Sequence, residues 1–321
     1  MAGIYKSYIN EYIDFKKSLG FKYKTEEGIF NNFDQFTIKR NEKNVGITRE
    51  LAEAWRNLNP NESCSYKYHR CICINQLASY LSKLGVKSHI LRLPVNKPNF
   101  VPYIFSNSEM AALFNSCDNV RANKKRMDTA VIILPCLIRL LYGTGLRISE
   151  ALALKNDDVR LSDNYLVIRD SKNGKERMIP ISQSLSDVLQ EYCKQKSLLP
   201  LLKEVCDHFF TTLDGRACNT DHVRKWFKKI LWTAKIHLRN SGPRLHDLRH
   251  TFSVHALAKM AEDEIDLYCS LPILSSYLGH QSLEATNGYV RLTAEMYPGL
   301  LKDVDFVCLN VFPKTEFYAA N

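Results

Sequence analysis

Three prolines lie within the ten residues LPVNKPNFVP, at positions 93–102, between two regions whose apolar residues recur at helical spacing. Proline fixes its own φ angle and lacks a backbone donor, so this stretch cannot continue either neighbouring helix. A chain of 321 residues is also longer than a single hydrophobic core usually supports. The sequence therefore predicts two domains, covering residues 1–95 and 103–321, joined by a linker at 96–102.

The composition is that of a folded chain, with 45% hydrophobic and 24% charged residues. Ten cysteines are scattered without a CxxC pair, which favours free thiols in a reducing compartment over disulfides or a structural zinc site. The longest apolar run, VIILPCLI, is broken by Arg139 and is too short to cross a bilayer. The first residues show no targeting pattern. We therefore expect a cytoplasmic protein with no membrane partner.

The charge balance favours a polyanionic partner such as nucleic acid. The formal net charge is +10 and the isoelectric point is about 9.0. Residues 1–100 hold 16 Lys and Arg against 9 Asp and Glu, so this part carries +7 of the total. The segments YKSYINEYIDFKKSLG and KYHRCICINQLASYLSKLG within it have helical apolar spacing, which predicts a small basic helical bundle.

The second region mixes helices with a short hairpin. Ser106 and Glu109 match a capping box that opens a helix, and an apolar helix near residues 127–142 should end at the sequence GTG. Two β-prone runs in YLVIRDSKNGKERMIPI flank the pair Asn173-Gly174, a strong signal for an antiparallel hairpin. The predicted fold class is therefore mainly α with a small antiparallel β-sheet.

The segment DHVRKWFKKILWTAK predicts an amphipathic helix with one cationic face. The apolar face holds Val223, Trp226, Phe227, Ile230, Leu231 and Ala234. A charged outer face is usually only solvated, but four cations close together also suit contact with DNA phosphates. The candidate DNA-binding residues of this helix are Arg224, Lys225, Lys228 and Lys229.

The run HDLRH at residues 246–250 fits two kinds of site. A helix that begins near residue 246 places His246 and Arg249 on one face, where they could clamp a phosphate. A metal site built on His246 and Asp247 would need further ligands that converge on this pair, and no HxxE pattern supplies them. The run alone leaves both readings open. Asp247 also suits the positive end of a helix dipole.

Two other segments contain candidate functional residues. In GTGLRISEALAL, residues 143–154, Arg147 follows a glycine-bounded turn and Glu150 lies one helical turn later. A guanidinium at such a junction projects from rigid backbone and can bind an oxyanion through two hydrogen bonds. In YLGHQSLEATNGYV, His280 follows a glycine and Tyr289 comes nine positions later. Taken singly, His280 is typical of a helix cap and Tyr289 of a core residue.

The ordered series is more specific than any of its parts. The elements G-T-G-L-R-x-S-E, a lysine-bearing hairpin, H-x-L-R-H, L-G-H and a tyrosine follow one another in the order and with the His-to-Tyr spacing of the tyrosine recombinase (phage integrase) family. The chain resembles that family from residue 103 to about residue 297. The resemblance implies a helical, SAM-like core-binding domain, followed by a mixed α/β catalytic domain with a C-terminal tail from about residue 298.

The resemblance also implies a role for each matching residue. Tyr289 matches the nucleophile, which cleaves a DNA strand to form a 3′-phosphotyrosyl bond and needs neither a metal nor another cofactor. The resemblance also implies that Arg147, Arg249 and His280 bind the non-bridging phosphate oxygens. His246 is implied either to assist proton transfer from the tyrosine or to bind the phosphate. Glu150 and His250 are expected to orient these cations.

The hairpin supplies the candidate general acid. The pattern S-K-x-G favours Lys172 for protonation of the leaving 5′-oxygen, with Lys175 as a contact to the DNA backbone. The choice between the two lysines stays open at this stage.

The implied partner is double-stranded DNA at a specific recombination site. Two copies would bind one site and four would form the synapse, either as a homo-oligomer or together with related recombinases. The apolar tail beyond residue 298 would pack on its own domain or on a neighbouring protomer, and both arrangements stay open.

Two rival functions accompany this prediction. Type IB topoisomerases use the same catalytic set to relax DNA without exchanging strands between partners. A metal-dependent phosphohydrolase built on His246 and Asp247 is a second alternative. Within recombination, integration, excision, transposition and chromosome-dimer resolution all stay open.

Overall fold

The chain divides into two compact units, Met1–Phe100 and Val101–Asn321. The predicted hairpin lysines, Lys172 and Lys175, and the tail from residue 298 lie outside the described residues. The computed structural model describes residues 3–95, 101–121, 130–169, 176–198, 206–236, 242–280, 282 and 284–297.

The first unit is a small helical bundle, as the apolar spacing predicted. Its core is built from the aromatic and aliphatic faces of the helices, with Phe30, Phe33 and Trp55 buried at its centre. Arg70 is buried against this core, where its guanidinium lies 4.6 Å from the centroid of the Trp55 ring and pairs with the carboxylate of Glu62. The helices are α1 (Lys6–Ser18), α2 (Lys24–Lys39), α3 (Arg49–Arg56) and α4 (Cys64–Lys83).

The second unit combines helices with a three-stranded sheet, so the predicted fold class is confirmed. The first helix opens with the predicted capping box, in which the amide of Glu109 donates to Ser106 Oγ and the amide of Ser106 donates to Glu109 Oε2. The helices are α5 (Asn107–Asp118), α6 (Leu134–Thr144), α7 (Ile148–Ala153), α8 (Gln183–Ser197), α9 (Thr220–Thr233), α10 (Asp247–Glu262), α11 (Leu267–Leu278) and α12 (Glu284–Met296).

The sheet is antiparallel throughout, in the order β1 (Val159–Arg160), β2 (Tyr165–Ile168) and β3 (Arg177–Pro180). Leu166 pairs with Ile179, and both side chains are buried. The pairing of β2 with β3 agrees with the predicted hairpin, whose turn lies outside the described residues.

Helix α6 lies at the centre of the second unit, because almost every face of its sequence LPCLIRLLYGT is apolar. It packs against α5, α8 and α10, and α10 also packs against α11 and α12. The helix ends at Gly145, which has a φ of 61°. A Cβ atom there would lie 2.5 Å from a ring carbon of Phe252, so the position requires glycine.

Helix α9 has the predicted amphipathic pattern. Val223, Phe227, Ile230 and Leu231 are buried, and Trp226 and Ala234 pack against the same core. Its four candidate cations are exposed. Within the described ranges, no helix is both long and apolar enough to cross a membrane.

Candidate active site

Arg147 is held in place by the start of α7. Its backbone amide donates to Glu150 Oε2 at 3.1 Å, and its Nη1 donates to Glu150 Oε1 at 2.8 Å. The same carboxylate accepts from Arg177, the first residue of β3, at 3.0 and 3.4 Å. Glu150 therefore joins the turn that carries Arg147 to the strand that leaves the hairpin.

The charge of Glu150 depends on these partners. Burial alone would raise the pKa of its carboxyl group, but Arg177 and Arg147 outweigh that effect and hold the pKa below its ordinary value. The carboxylate is thus ionised at neutral pH, although its side chain is only 2% exposed. An ionised, doubly paired carboxylate fixes the orientation of both guanidinium groups.

Arg177 was not among the residues selected from the sequence. Its Nε also donates to the carbonyl oxygen of Tyr277 at 3.2 Å, close to the L-G-H turn. A Cβ atom on Gly279 would approach the Arg177 guanidinium to 3.0 Å, so this glycine leaves room for it. The sequence signal for Arg177 was its place on the core-facing side of the predicted hairpin. That signal does not identify its partners, Glu150 and Tyr277, because they are distant in sequence.

The amino-terminal end of α10 positions the HDLRH residues. Asp247 is the first residue of the helix and is 1% exposed. One of its carboxylate oxygens accepts from the Arg244 amide at 2.7 Å, and the other lies 3.4 Å from the Arg244 guanidinium. Asp247 thus closes the start of α10, as its place at the helix dipole suggested. Among the described residues, no group of three or more His, Cys, Asp or Glu side chains is arranged to hold a metal.

Arg249 is the most deeply placed cation of the site, at 2% exposure. Its Nη1 donates to the carbonyl oxygen of Gly145 at 2.7 Å, and its Nη2 donates to that of Leu278 at 2.9 Å. Burial and the nearby charge of Arg147 lower its pKa to about 10, so it remains charged at neutral pH. Through these two hydrogen bonds, Arg249 on α10 connects to the glycine turn at Gly145 and to the end of α11 at Leu278.

Tyr289 reaches this cluster from α12, and its side chain is 6% exposed. Its hydroxyl oxygen lies 3.0 Å from Nδ1 of His250. Burial raises the pKa of the phenol, and the adjacent Arg249 guanidinium and Ser253 hydroxyl oppose that rise. The site thus holds a neutral phenol beside a fixed cation that would stabilise its ionised form.

His280 lies beside the tyrosine ring. It follows Gly279, whose φ of 68° ends α11, and its Nδ1 is 2.7 Å from Thr286 Oγ1. The imidazole and phenol rings are nearly parallel, with centroids 6.2 Å apart. Burial and the surrounding guanidinium groups lower the pKa of His280 to about 4, so the ring is neutral at neutral pH.

His250, expected from the sequence to orient the cations, contacts Tyr289 and His246. Its Nδ1 faces the hydroxyl of Tyr289, and its ring meets that of His246 edge to face at a centroid distance of 4.7 Å. Glu150, in contrast, contacts two guanidinium groups directly.

An open cavity of about 960 Å³ begins at Arg147 and His246 and extends along α9. Arg224, Lys225 and Lys228 line its other side. Lys229 lies instead over the ring of Trp226, 4.2 Å from its centroid, and Arg224 is paired with Asp221 at 3.1 Å. The cavity lining thus combines the cationic side chains of Arg147, Arg224, Lys225, Lys228 and Arg244 with apolar side chains such as Phe227 and Leu245.

The structure thus brings Arg147, His246, Arg249, His280 and Tyr289 of the predicted set into one region. They come from four separate segments, and the links run through Glu150, Arg177 and the carbonyl oxygens of Gly145 and Leu278. The predicted general acid on the hairpin lies outside the described residues.

Comparison with known proteins identifies the family. The model of the phage integrase family matches residues 104–296. A Sinorhizobium fredii protein named as an integrase/recombinase, y4rB, is 30% identical over 300 residues, which cover 91% of this chain and 94% of that protein. The tyrosine recombinase XerA of Pyrococcus horikoshii is 30% identical over 226 residues, covering 70% of this chain and 69% of its own. The chain therefore belongs to the phage integrase family and is a DNA strand-transferring enzyme of the tyrosine recombinase type.

Solved structures share the fold. The XerH site-specific recombinase in a post-cleavage complex with its palindromic difH substrate superposes with a TM-score of 0.64 at 23% identity, covering 88% of this chain and 78% of that one. A lambda integrase dimer bound to a COC′ core site gives a TM-score of 0.63 at 17% identity, covering 88% and 94% of the two chains. The two-domain architecture of these recombinases thus extends to this chain.

Proposed function

We propose that this enzyme is a site-specific DNA recombinase in which Tyr289 cleaves one DNA strand through a 3′-phosphotyrosyl intermediate and the strand is then rejoined to a partner. The observation that carries the proposal is the position of the Tyr289 hydroxyl, which is buried near Arg249 and Arg147, 3.0 Å from Nδ1 of His250. A phenol placed among guanidinium and imidazole groups suits attack on a phosphodiester better than it suits a purely structural role.

The chemistry begins with attack of the Tyr289 oxygen on phosphorus, which releases the 5′-oxygen. Arg147 and Arg249 bind the non-bridging oxygens and stabilise the charge that develops in the pentacoordinate transition state. Their fixed supports, Glu150 and the Gly145 carbonyl, hold both guanidinium groups before DNA arrives, so little reorganisation is required at the moment of reaction. His246, which lines the cavity, and His280, which lies beside the tyrosine ring, complete the phosphate contacts.

The leaving 5′-oxygen takes its proton from a hairpin lysine, for which Lys172 remains the first candidate and Lys175 the second. The bond energy is kept in the protein–DNA ester, so rejoining is the reverse attack by a 5′-hydroxyl and needs no nucleotide cofactor.

Metal ions have no assigned part in this reaction. Two guanidinium groups take the place that a cation would otherwise fill at the phosphate. The alternative metal site is disfavoured because both oxygens of Asp247 already face Arg244. Cleavage in the presence of EDTA tests the point, and loss of cleavage that added magnesium restores would contradict it.

DNA is proposed to lie along the cavity and the exposed face of α9, where Lys225 and Lys228 meet backbone phosphates. The basic bundle of residues 1–95 is proposed as the core-binding domain on the same duplex. Lambda integrase structures hold a dimer on a core site and a tetramer on a Holliday junction, which supports the same assemblies for this chain.

The test is the variant Tyr289→Phe, incubated with a nicked suicide substrate that carries the recombination site. Wild-type protein should form an SDS-resistant adduct, and the variant should bind the same DNA without forming it. An adduct with Tyr289→Phe would refute the nucleophile assignment. Relaxation of supercoiled DNA that lacks the site, without strand exchange, would instead favour a topoisomerase.

A further inference from the structure

We propose that His250 accepts the proton of the Tyr289 hydroxyl as that oxygen attacks phosphorus. The inference rests on the proposed role of Tyr289 as the nucleophile. His246 was expected from the sequence either to bind the phosphate or to assist transfer of the phenol proton, and its ring contacts that of His250.

The geometry favours this pair. Nδ1 of His250 lies 3.0 Å from the Tyr289 hydroxyl oxygen, within the range of a direct hydrogen bond, and the ring centroids are 5.6 Å apart. His250 is in the first turn of α10, and Tyr289 is in α12, which packs along α10. Two packed helices thus fix the distance between proton donor and acceptor.

Among the groups that hydrogen-bond to the phenol, His250 is the one that can act as a base. Arg249 has only donors, and together with Ser253 it stabilises the ionised phenol. Ser253 donates its own proton to the Arg249 carbonyl oxygen at 2.9 Å, and a serine hydroxyl is not a base. Neither Arg249 nor Ser253 can take up the phenol proton, whereas His250 can do so in the neutral tautomer whose Nδ1 is the acceptor.

The other imidazoles are less suitable. Nδ1 of His280 is hydrogen-bonded to Thr286. The imidazole ring of His280 is stacked on the phenol ring, so the ring face, and not a ring nitrogen, is directed at Tyr289. The ring of His246 meets that of His250 at an interplanar angle of 88°. His246 thus contacts His250, and His250 contacts the Tyr289 hydroxyl.

The electrostatic surroundings keep His250 neutral before the reaction. Burial lowers the pKa of His250 to about 3, and the nearby arginine and histidine side chains contribute to this shift. Its neighbours from α10, the preceding loop and the L-G-H turn are His246, Arg244, Arg249 and His280. A bound phosphate brings negative charge into this cluster, which favours uptake of a proton by His250 at the stage when it is needed.

The Tyr289 Oη–P bond forms, the P–O5′ bond breaks, and the Oη proton moves to His250 Nδ1. The leaving 5′-oxygen receives a separate proton from the general acid. During rejoining, the 5′-hydroxyl attacks phosphorus, and His250 returns its proton to the departing Tyr289 oxygen.

The experiment compares His250→Ala and His250→Asn with wild-type protein in single-turnover cleavage of a site-bearing suicide substrate. Near neutral pH, both variants should bind DNA normally and cleave about 100-fold more slowly or worse, the usual range for loss of a general base. The deficit should narrow as pH rises, because hydroxide then removes the phenol proton. His250→Asn keeps a polar side chain at the site, so it tests the proposal even if the alanine variant unfolds.

A substrate with sulfur in place of the scissile 5′-oxygen separates the two proton transfers. A thiolate leaves without protonation, so this substrate rescues loss of a general acid but not loss of the acceptor at Tyr289. The cleavage defect of His250→Asn should therefore persist on the sulfur substrate. Full rescue by sulfur, or cleavage of the oxygen substrate at the wild-type rate, would overturn the inference.

His255→Asn is the matched control. His255 lies on the same helix and contacts the hydroxyl of a different tyrosine, Tyr142, through Nδ1 at 2.9 Å. This variant should cleave at the wild-type rate. Tyr289→Phe distinguishes the two proposals: an adduct with that variant refutes the proposed function, whereas a fully active His250→Asn with an inactive Tyr289→Phe refutes only the role of His250.

Discussion

Replacement of Arg177 by methionine should destabilise the second unit strongly, although Arg177 contacts no substrate in the proposed mechanism. The side chain is 13% exposed and pairs with Glu150, which is 2% exposed. Methionine fills much of the volume of the arginine side chain but carries no charge. The Glu150 carboxylate then keeps Arg147 as its cationic partner, with Arg147 Nη1 at 2.8 Å from Glu150 Oε1. Breaking a buried ion pair from one side typically costs about 3–5 kcal/mol, and the remaining partner places this case near the lower end.

The pH dependence of the effect follows from Glu150. Its pKa is lowered from 4.5 in the folded protein, so its pairing stabilises the fold above that value and the stabilisation is lost as pH falls through the lowered pKa. Without Arg177, the pKa of Glu150 rises. The difference between wild type and variant should therefore be largest near neutral pH and shrink in acid.

The assay is urea unfolding followed by circular dichroism, with hydrogen exchange of peptides from α6 and α10 to assign the transition to the second unit. Arg139→Met is the matched control, since Arg139 also forms two hydrogen bonds to one carboxylate, that of Asp118, both at 2.7 Å. That pair is partly exposed, and its loss should cost about 0–1 kcal/mol. If Arg177→Met and Arg139→Met lowered the free energy of unfolding equally, the burial of Glu150 would not explain the importance of Arg177.

Three further predictions concern the turn, the DNA-binding face and acid stability. Gly145→Ala should destabilise the second unit by about 2–5 kcal/mol in the same unfolding assay, from left-handed backbone strain and a steric overlap; a change below about 1 kcal/mol would contradict this. Replacing Lys225 and Lys228 by glutamine should weaken DNA binding and reduce the log–log salt slope by about 0.9 per lost phosphate contact, whereas an unchanged slope would exclude them from the interface. His280→Asn should make the free energy of unfolding fall less steeply between pH 6.5 and pH 4. The pKa of His280 is about 4 in the folded protein and 6.5 in the unfolded chain, so the unfolded chain takes up the proton first as the pH falls. Identical pH profiles of wild type and variant would contradict this prediction.

Much of the site was predictable because its members belong to short local motifs. Arg147 after its glycine turn, and His246 with Arg249 one helical turn apart, depend on spacing that the sequence states directly. The apolar face of α9 was predictable for the same reason, since helical periodicity is a local property. Gly145 and Gly279 both adopt left-handed backbone conformations, as their positions in the two motifs suggested.

Other features depend on contacts between distant segments. Arg177 reads as an ordinary basic residue of a strand, and its importance comes from Glu150, 27 positions earlier, and from Tyr277, 100 positions later. The partner of His250 is 39 positions away on another helix, so the sequence could suggest a supporting role but not its target. Asp247 drew attention as a metal ligand, and only the structure shows that Arg244 occupies its carboxylate.

Peptide mapping of the trapped adduct shows directly whether Tyr289 becomes covalently attached to DNA. Wild-type protein is incubated with the suicide substrate, the adduct is digested with trypsin, and the peptide that carries the nucleotide is sequenced by mass spectrometry. The proposed mechanism predicts a single modified site at Tyr289, joined to a 3′-phosphate. Attachment at any other residue, or a linkage to a 5′-phosphate, would contradict it.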